Sequence, residues 1–231
     1  GSVTVLLGPN GAGKSTIMKS IIGLLKYDGD IFVGGLPNKT EDARRILGYI
    51  PEIPALYPNL TVIEHMEFLA RAYKLKDYKD DIDALLERFE LSDKRKKFGD
   101  ELSKGMQQKL NICLGLLPKP KVLLLDEPMI GLDPHAIKQL KDIVGEMREE
   151  GRTLLISTHI IDSVDMIWDR TIIMQDGKAR ANVKKEELDV MEKSLEELFF
   201  DVTEGITADD LKEAPVMEAE TPAPKKRGLF R

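Results

Sequence analysis

Gly8-Pro9-Asn10-Gly11-Ala12-Gly13-Lys14-Ser15-Thr16 decides the fold. From Gly8 to Ser15 it fits the pattern G-x-x-x-x-G-K-[ST]. The glycines of such a loop let the backbone curl until its amide hydrogens converge on phosphate oxygens at a helix N-terminus. The pattern assigns Lys14 to the outer phosphates and the Ser15 hydroxyl to Mg²⁺. Its neighbours suit that reading. Val3-Thr4-Val5-Leu6-Leu7 reads as a buried parallel strand, and Ile17, Ile21, Ile22, Leu24 and Leu25 continue as one helix.

Further along, Val122-Leu123-Leu124-Leu125 runs without a polar residue into Asp126-Glu127. Acids that end a strand at the C-terminal edge of a parallel sheet face the crevice where ligands bind. Asp126 is therefore expected to position Mg²⁺, directly or through water. Glu127 is the candidate base for an attacking water, set against a plainer role as a turn cap before Pro128. His159 follows another strand-like run, Thr153-Leu154-Leu155-Ile156, and stands at its end. If that strand lies beside the acidic one, the imidazole points at the same phosphate. His65 and His135 have no such setting and read as structural.

Strand, helix and strand repeat with the period of a parallel sheet joined by right-handed crossovers. Thr171-Ile172-Ile173-Met174, then Gln175-Asp176-Gly177, predicts a hairpin with a tight Asp-Gly turn. Leu188 to Phe200 reads as a single last helix. Between these core segments the pattern turns helical. Thr61-Val62-Ile63-Glu64 is a capping box. Ile82, Leu85, Leu86 and Phe89 form a stripe on one helix face, and Leu110, Cys113, Leu114 and Leu117 form another. The expected architecture is α/β: a P-loop NTPase core over 1–58 and 118–185, its parallel sheet flanked by helices, with an inserted α-helical subdomain over 59–117. A helical extension over 186–213 and a disordered tail over 214–231 complete it. The tail mixes proline, glutamate and alanine with Lys225-Lys226-Arg227.

One more stretch narrows the reading. Leu102-Ser103-Lys104-Gly105-Met106 opens a helix between the phosphate loop and the acidic strand. A serine hydroxyl, a glycine amide and a helix dipole together make a second anion site. With the loop, Asp126-Glu127 and His159 in this order, the chain resembles the ATP-binding subunit of an ABC transporter over about its first 200 residues. The resemblance implies ATP and Mg²⁺ as cofactors, Glu127 and His159 as catalytic residues, and Ser15 and Asp126 at the metal. It implies that Gly131-Leu132-Asp133-Pro134 crosses a dimer interface. It also implies that Ser103 and Gly105 close over ATP held by a second ATP-binding subunit, in a homodimer. An integral membrane permease is the further partner, which puts the protein at the cytoplasmic face of the cell membrane as a peripheral subunit.

Three departures from the family pattern stand out. Lys104 and Met106 replace glycine and glutamine of the usual Leu-Ser-Gly-Gly-Gln, adding a cation that faces either phosphate or an acidic partner. Glu52, after Gly48-Tyr49-Ile50-Pro51, replaces a glutamine that touches Mg²⁺ in the family, and a carboxylate is a stronger metal ligand. Both changes resemble a branch of exporters for drugs, sodium or similar cargo. Thirdly, the sequence opens on Gly1, seven residues before the loop. A missing N-terminal segment is expected, and with it the aromatic platform on which the family stacks adenine. Tyr27 follows the loop's helix and does not match that place. A lost stacking contact weakens binding about 5- to 150-fold.

Composition sets the remaining bounds. Hydrophobic residues make 42% and charged residues 32% of the chain, which describes a globular protein. A net charge of -6 argues against nucleic acid as a partner, since a basic footprint is absent. Lys94-Arg95-Lys96-Lys97 is too short to change that and reads as a solvated face. Cys113 is the one cysteine and reads as a core residue. No apolar run approaches the roughly 20 residues that span a bilayer. The other function classes are a non-transport ABC ATPase acting on ribosomes or DNA, and a catalytically weak ATP-binding module without its N-terminus. Acidic charge and a helical insertion of only about 60 residues disfavour the first of these.

Overall fold

Strand and helix alternate as the hydrophobic periods require throughout residues 1–164 and 167–204, which the computed structural model describes. The first half runs β1 (Val3–Leu7), α1 (Lys14–Ile21), the short strands β2 (Phe32–Val33) and β3 (Leu36–Pro37), α2 (Glu41–Ile46) and β4 (Leu47–Ile50). Three helices follow without an intervening strand: α3 (Val62–Ala72), α4 (Lys79–Arg88) and α5 (Lys104–Leu116). The core then resumes with β5 (Val122–Asp126), α6 (Pro134–Glu149), β6 (Thr153–Thr158), β7 (Arg170–Gln175) and β8 (Lys178–Lys184), and ends in α7 (Lys185–Val190) and α8 (Leu195–Glu204).

The main sheet has the order β4-β5-β6-β1-β7-β8. Its first five strands are parallel, and β8 returns antiparallel along β7 through the turn at Asp176 and Gly177, whose φ angles are 51° and 74°. Two successive positive φ values match the right-handed twist of a hairpin, which is why the Asp-Gly pair sits there. Parallel strands need crossovers, so helices cover both faces. β5 shows the consequence: Leu123 and Leu125 join the larger core, whereas Leu124 joins Met18, Val33 and Ala43 on the opposite face. A period of two divides one apolar run between two layers.

The helices follow their local signals. Thr61 and Glu64 cap α3 reciprocally, and Val62, Met66 and Ala70 are buried, while Tyr73 is exposed. Ile82, Leu86 and Phe89 carry the stripe of α4 into the core. Cys113 is fully buried in α5; burial pushes its thiol pKa up. Two expected helices differ. α1 stops at Ile21, because Gly23 takes φ +79° and turns the chain away, leaving Leu24 exposed. The single helix expected over Leu188 to Phe200 is α7 and α8, broken where Glu192 adopts φ +53°. Ser194 and Glu197 then bond reciprocally, at 2.7 and 3.1 Å, and start α8 as a new helix. The tail expected to be disordered, with its basic tip, lies outside the described residues. No described helix is long and apolar enough to cross a membrane.

Candidate nucleotide site

The strand order puts β5, β6 and β1 side by side, so three strand ends deliver three groups of side chains to one edge. β1 delivers the phosphate loop. A Cβ on Gly8 would stand 2.5 Å from the Met174 carbonyl, so only glycine lets the loop leave the strand this close to β7. Gly13 takes φ +101° and precedes α1 with no side-chain cap, which leaves the first amides of the helix unpaired by any cap. The β7–β8 turn props the loop from below, since Gly177 N–H donates to the Ala12 carbonyl at 3.2 Å.

The cleft above encloses about 440 Å³, and its lining includes residues 10–16, Glu52, Glu127 and His159. Lys14 is 6% exposed; its ammonium donates to the Gly8 carbonyl at 2.7 Å and stands 3.5 Å from Glu127 Oε1. The same Oε1 accepts from His159 Nδ1 at 2.9 Å, a carboxylate being acceptor only. Lysine, glutamate and histidine thus share one oxygen. Glu127 Oε2 is buried with no hydrogen-bond partner among the described residues, and an orphaned carboxylate oxygen in a polar cleft suits a water or a substrate proton.

Asp126 is held differently. It is 1% exposed, and its Oδ1 accepts from Ser15 at 3.1 Å and from Ser157 at 2.5 Å. Its Oδ2 accepts from the Tyr49 hydroxyl at 3.3 Å, and burial together with this neighbouring carboxylate pushes the tyrosine pKa up. The oxygen set of Ser15 with Asp126 behind it, and Glu52 in the same cleft, has the hard-donor chemistry that Mg²⁺ takes alongside phosphate oxygens.

Tyr49 and Ser157 were not legible as site residues in the sequence. Ser157 faces Asp126 only because β5 and β6 pair in that register. Tyr49 arrives from the outermost strand. The one available signal was position, since each lies two or three residues from a site residue already singled out. Tyr27 is engaged elsewhere: its hydroxyl donates to Asn38 at 2.5 Å and Lys39 covers its ring at 4.5 Å. His65 is buried and structural, accepting the Tyr57 amide at 2.9 Å and bonding the Thr61 carbonyl at 2.8 Å.

Ser103 and Gly105 are not brought into this cleft. Ser103 is exposed and caps α5, its hydroxyl accepting from Met106 N–H at 3.3 Å. Gly105 packs against the loop after Glu127, where a Cβ would meet the Gly131 carbonyl at 3.0 Å. Asp133 in that loop caps α6 through Ala136 N–H at 2.8 Å and pairs with Lys109 at 2.9 Å, and the two together hold its carboxyl below the usual range.

Comparison with known proteins agrees with this geometry. The family model described as ABC transporter matches residues 1–130. The lantibiotic transport ATP-binding protein SrtF of Streptococcus pyogenes is 39% identical over 200 residues, covering 86% of this chain and 84% of its own. A solved ATP-binding subunit of an ABC transporter superposes with a TM-score of 0.82 at 36% identity, over 87% of this chain and 88% of that one. The ATP-binding cassette MJ0796, dimeric in a post-hydrolysis state with ADP and Pi, superposes with a TM-score of 0.69 at 26% identity, over 79% and 85%. A P-loop NTPase sheet, a cleft of this composition and these likenesses lead to one statement: the chain belongs to the ABC transporter family, as its ATP-binding, ATP-hydrolysing subunit.

Proposed function

We propose that this subunit pairs with a second copy of itself around two Mg-ATP and drives export through a separate integral membrane permease, working from the cytoplasmic face of the membrane. One observation carries the pairing. The chain owns two anion-binding helix ends, and only that of α1 lies in the cleft with Lys14, Glu127 and His159. The exposed Ser103 end of α5 is then free to close a partner's cleft, and the dimeric MJ0796 cassette supports that arrangement.

In this reading the loop amides and Lys14 hold the β- and γ-phosphates, and ATP draws Lys14 away from Glu127. Ser15, with Asp126 behind it and Glu52 nearby, would hold Mg²⁺, which would supply positive charge against the phosphates. Glu127 orients the attacking water for in-line displacement, and His159 keeps its carboxylate aimed. Lys14 and the partner's copy of Ser103 stabilise charge on the transferring group.

Ile53 and Tyr57 follow Glu52 and are 78% and 56% exposed, and Phe68 of α3, 54% exposed, packs edge-on against Tyr57 with ring centroids 5.7 Å apart. Exposed apolar groups that follow a site loop and pack on one another support a protein partner there, here the permease. Export rests on the Ser103-Lys104-Gly105-Met106 form and Glu52, and on the relative named for lantibiotic transport.

The test is size exclusion of Glu127→Gln in Mg-ATP. A stable dimer is expected with ATP and a monomer without it. A monomer under both conditions overturns the shared site.

A further inference from the structure

Three of the buried polar residues lie together on α5: Gln108, Lys109 and Asn111. Lys109 pairs with Glu90 and Asp133, but Gln108 and Asn111 are 2% and 6% exposed and do not line the cleft. Their hydrogen bonds form one line. Asn111 Nδ2 donates to the Pro51 carbonyl at 2.8 Å and to Gln108 Oε1 at 3.2 Å, and Gln108 Nε2 donates to the Pro128 carbonyl at 3.0 Å. Proline carbonyls only accept, so both amides have a single orientation that satisfies the line. Its two ends adjoin two acids of the cleft: Pro51 precedes Glu52, and Pro128 follows Glu127.

Glu127 needs such support. Its φ is +47°, a left-handed conformation that non-glycine residues rarely keep unless their surroundings impose it. The following proline restricts it further. On the N-terminal side, Glu127 N–H is fixed by the Ser157 carbonyl at 3.1 Å and its hydroxyl at 3.2 Å. On the C-terminal side, the next peptide carbonyl is held by Gln108. α5 itself is a firm base, since Gly115 packs so closely on Ile50 of β4 that a Cβ would stand 2.2 Å from it.

We infer that Gln108 is a positioning residue that keeps the Glu127 carboxylate aimed, and that Asn111 ties this grip to the backbone of the Glu52 loop. The inference rests on Glu127 acting on the attacking water. A displaced Glu52 loop pulls on Pro51, reorients Asn111 and Gln108, and loosens Pro128.

The test compares Gln108→Met, Asn111→Ala, their combination and Glu127→Gln in the full chain, measuring kcat and, separately, the affinity for a fluorescent ATP analogue. Gln108→Met keeps the volume and removes the donor. Its kcat is expected to fall about 10- to 100-fold while nucleotide affinity stays within about twofold. Asn111→Ala is expected to show a smaller fall of the same kind, and the combination no more than Gln108→Met alone, because both act through one line. A kcat within twofold of wild type, a parallel loss of nucleotide affinity, or additive falls in the combination each overturn the proposal. If Gln108→Met does not fold, Asn111→Ala decides by the same split. Glu127→Gln separates the two levels. Full hydrolysis by that variant sinks the reading of Glu127 beneath, whereas an inactive Glu127→Gln beside a normal Gln108→Met sinks this inference alone.

Discussion

The N-termini of α1 and α5, both proposed above as anion sites, are built in opposite ways. α1 begins behind a glycine in left-handed conformation, has no side-chain cap, and turns its amides toward a lysine, a glutamate and a histidine of its own chain. α5 begins behind Ser103, which already satisfies one amide of its own helix, and it stands outside that cleft. The first end is assembled within one polypeptide. In the proposed dimer the second would offer a hydroxyl and a dipole to the partner's cleft. Binding and turnover should therefore be separable by mutation, binding belonging to one end and turnover to both.

The largest effect should come from the cleft. Glu127→Gln keeps the shape and removes the charge, and phosphate release is expected to fall by about 100-fold or more. Normal steady-state release would remove the hydrolytic role from the α1 side. Lys14→Ala should come next: charge-assisted bonds to phosphate are lost, and ATP affinity is expected to drop about 10- to 100-fold in a fluorescent-nucleotide titration. Unchanged affinity breaks the reading of α1 as the binding end.

Ser103→Ala sharpens the contrast. Dilute protein should bind ATP as before, whereas hydrolysis should fall about tenfold, with about 1 kcal/mol of stability lost with the cap. Mixing it with Lys14→Ala should restore part of the activity, because the mixed dimer holds one cleft with both Lys14 and the opposite Ser103. A mixture no better than the sum of its parts would argue that each chain works alone. Smallest of all is Glu146→Gln, which weakens the tie of α4 to α6 by removing the charge and one of the two acceptor oxygens that Arg88 meets at 2.7 and 2.8 Å. The pair is partly exposed, so urea unfolding should report a loss below about 1 kcal/mol at pH 7. Arg88 holds the Glu146 carboxyl below its ordinary value. The contribution is thus full above the unfolded value of about 4.3 and is lost as pH falls through the folded one.

What the sequence made legible was whatever chemistry sits within a few residues. The phosphate loop, the Asp126-Glu127 end and the capping box of α3 are local patterns, and the structure brings the loop, Glu52, Glu127 and His159 to one cleft. That β6 lies beside β5 was inferable as adjacency and not as register, and the place of β1 beside β6 was not inferred at all. Tyr49 and Ser157 depended on that register. The hydrogen-bonded line through Asn111 and Gln108 was hidden for another reason. Polar residues on a helix read as its solvent face, and here they are buried because backbone carbonyls of two distant loops satisfy them. The α1 and α8 boundaries were missed through single backbone choices at Gly23 and Glu192, which no hydrophobic period records.

The burial of Cys113 has a practical consequence. The only thiol of the chain is enclosed by α5 and its neighbours, and that burial pushes its pKa up. A maleimide spin label or fluorophore installed through a new cysteine at exposed Lys104 would react without competition from the native residue. Two such labels in the proposed dimer would report the distance between the two α5 N-termini, giving a ruler for its closure.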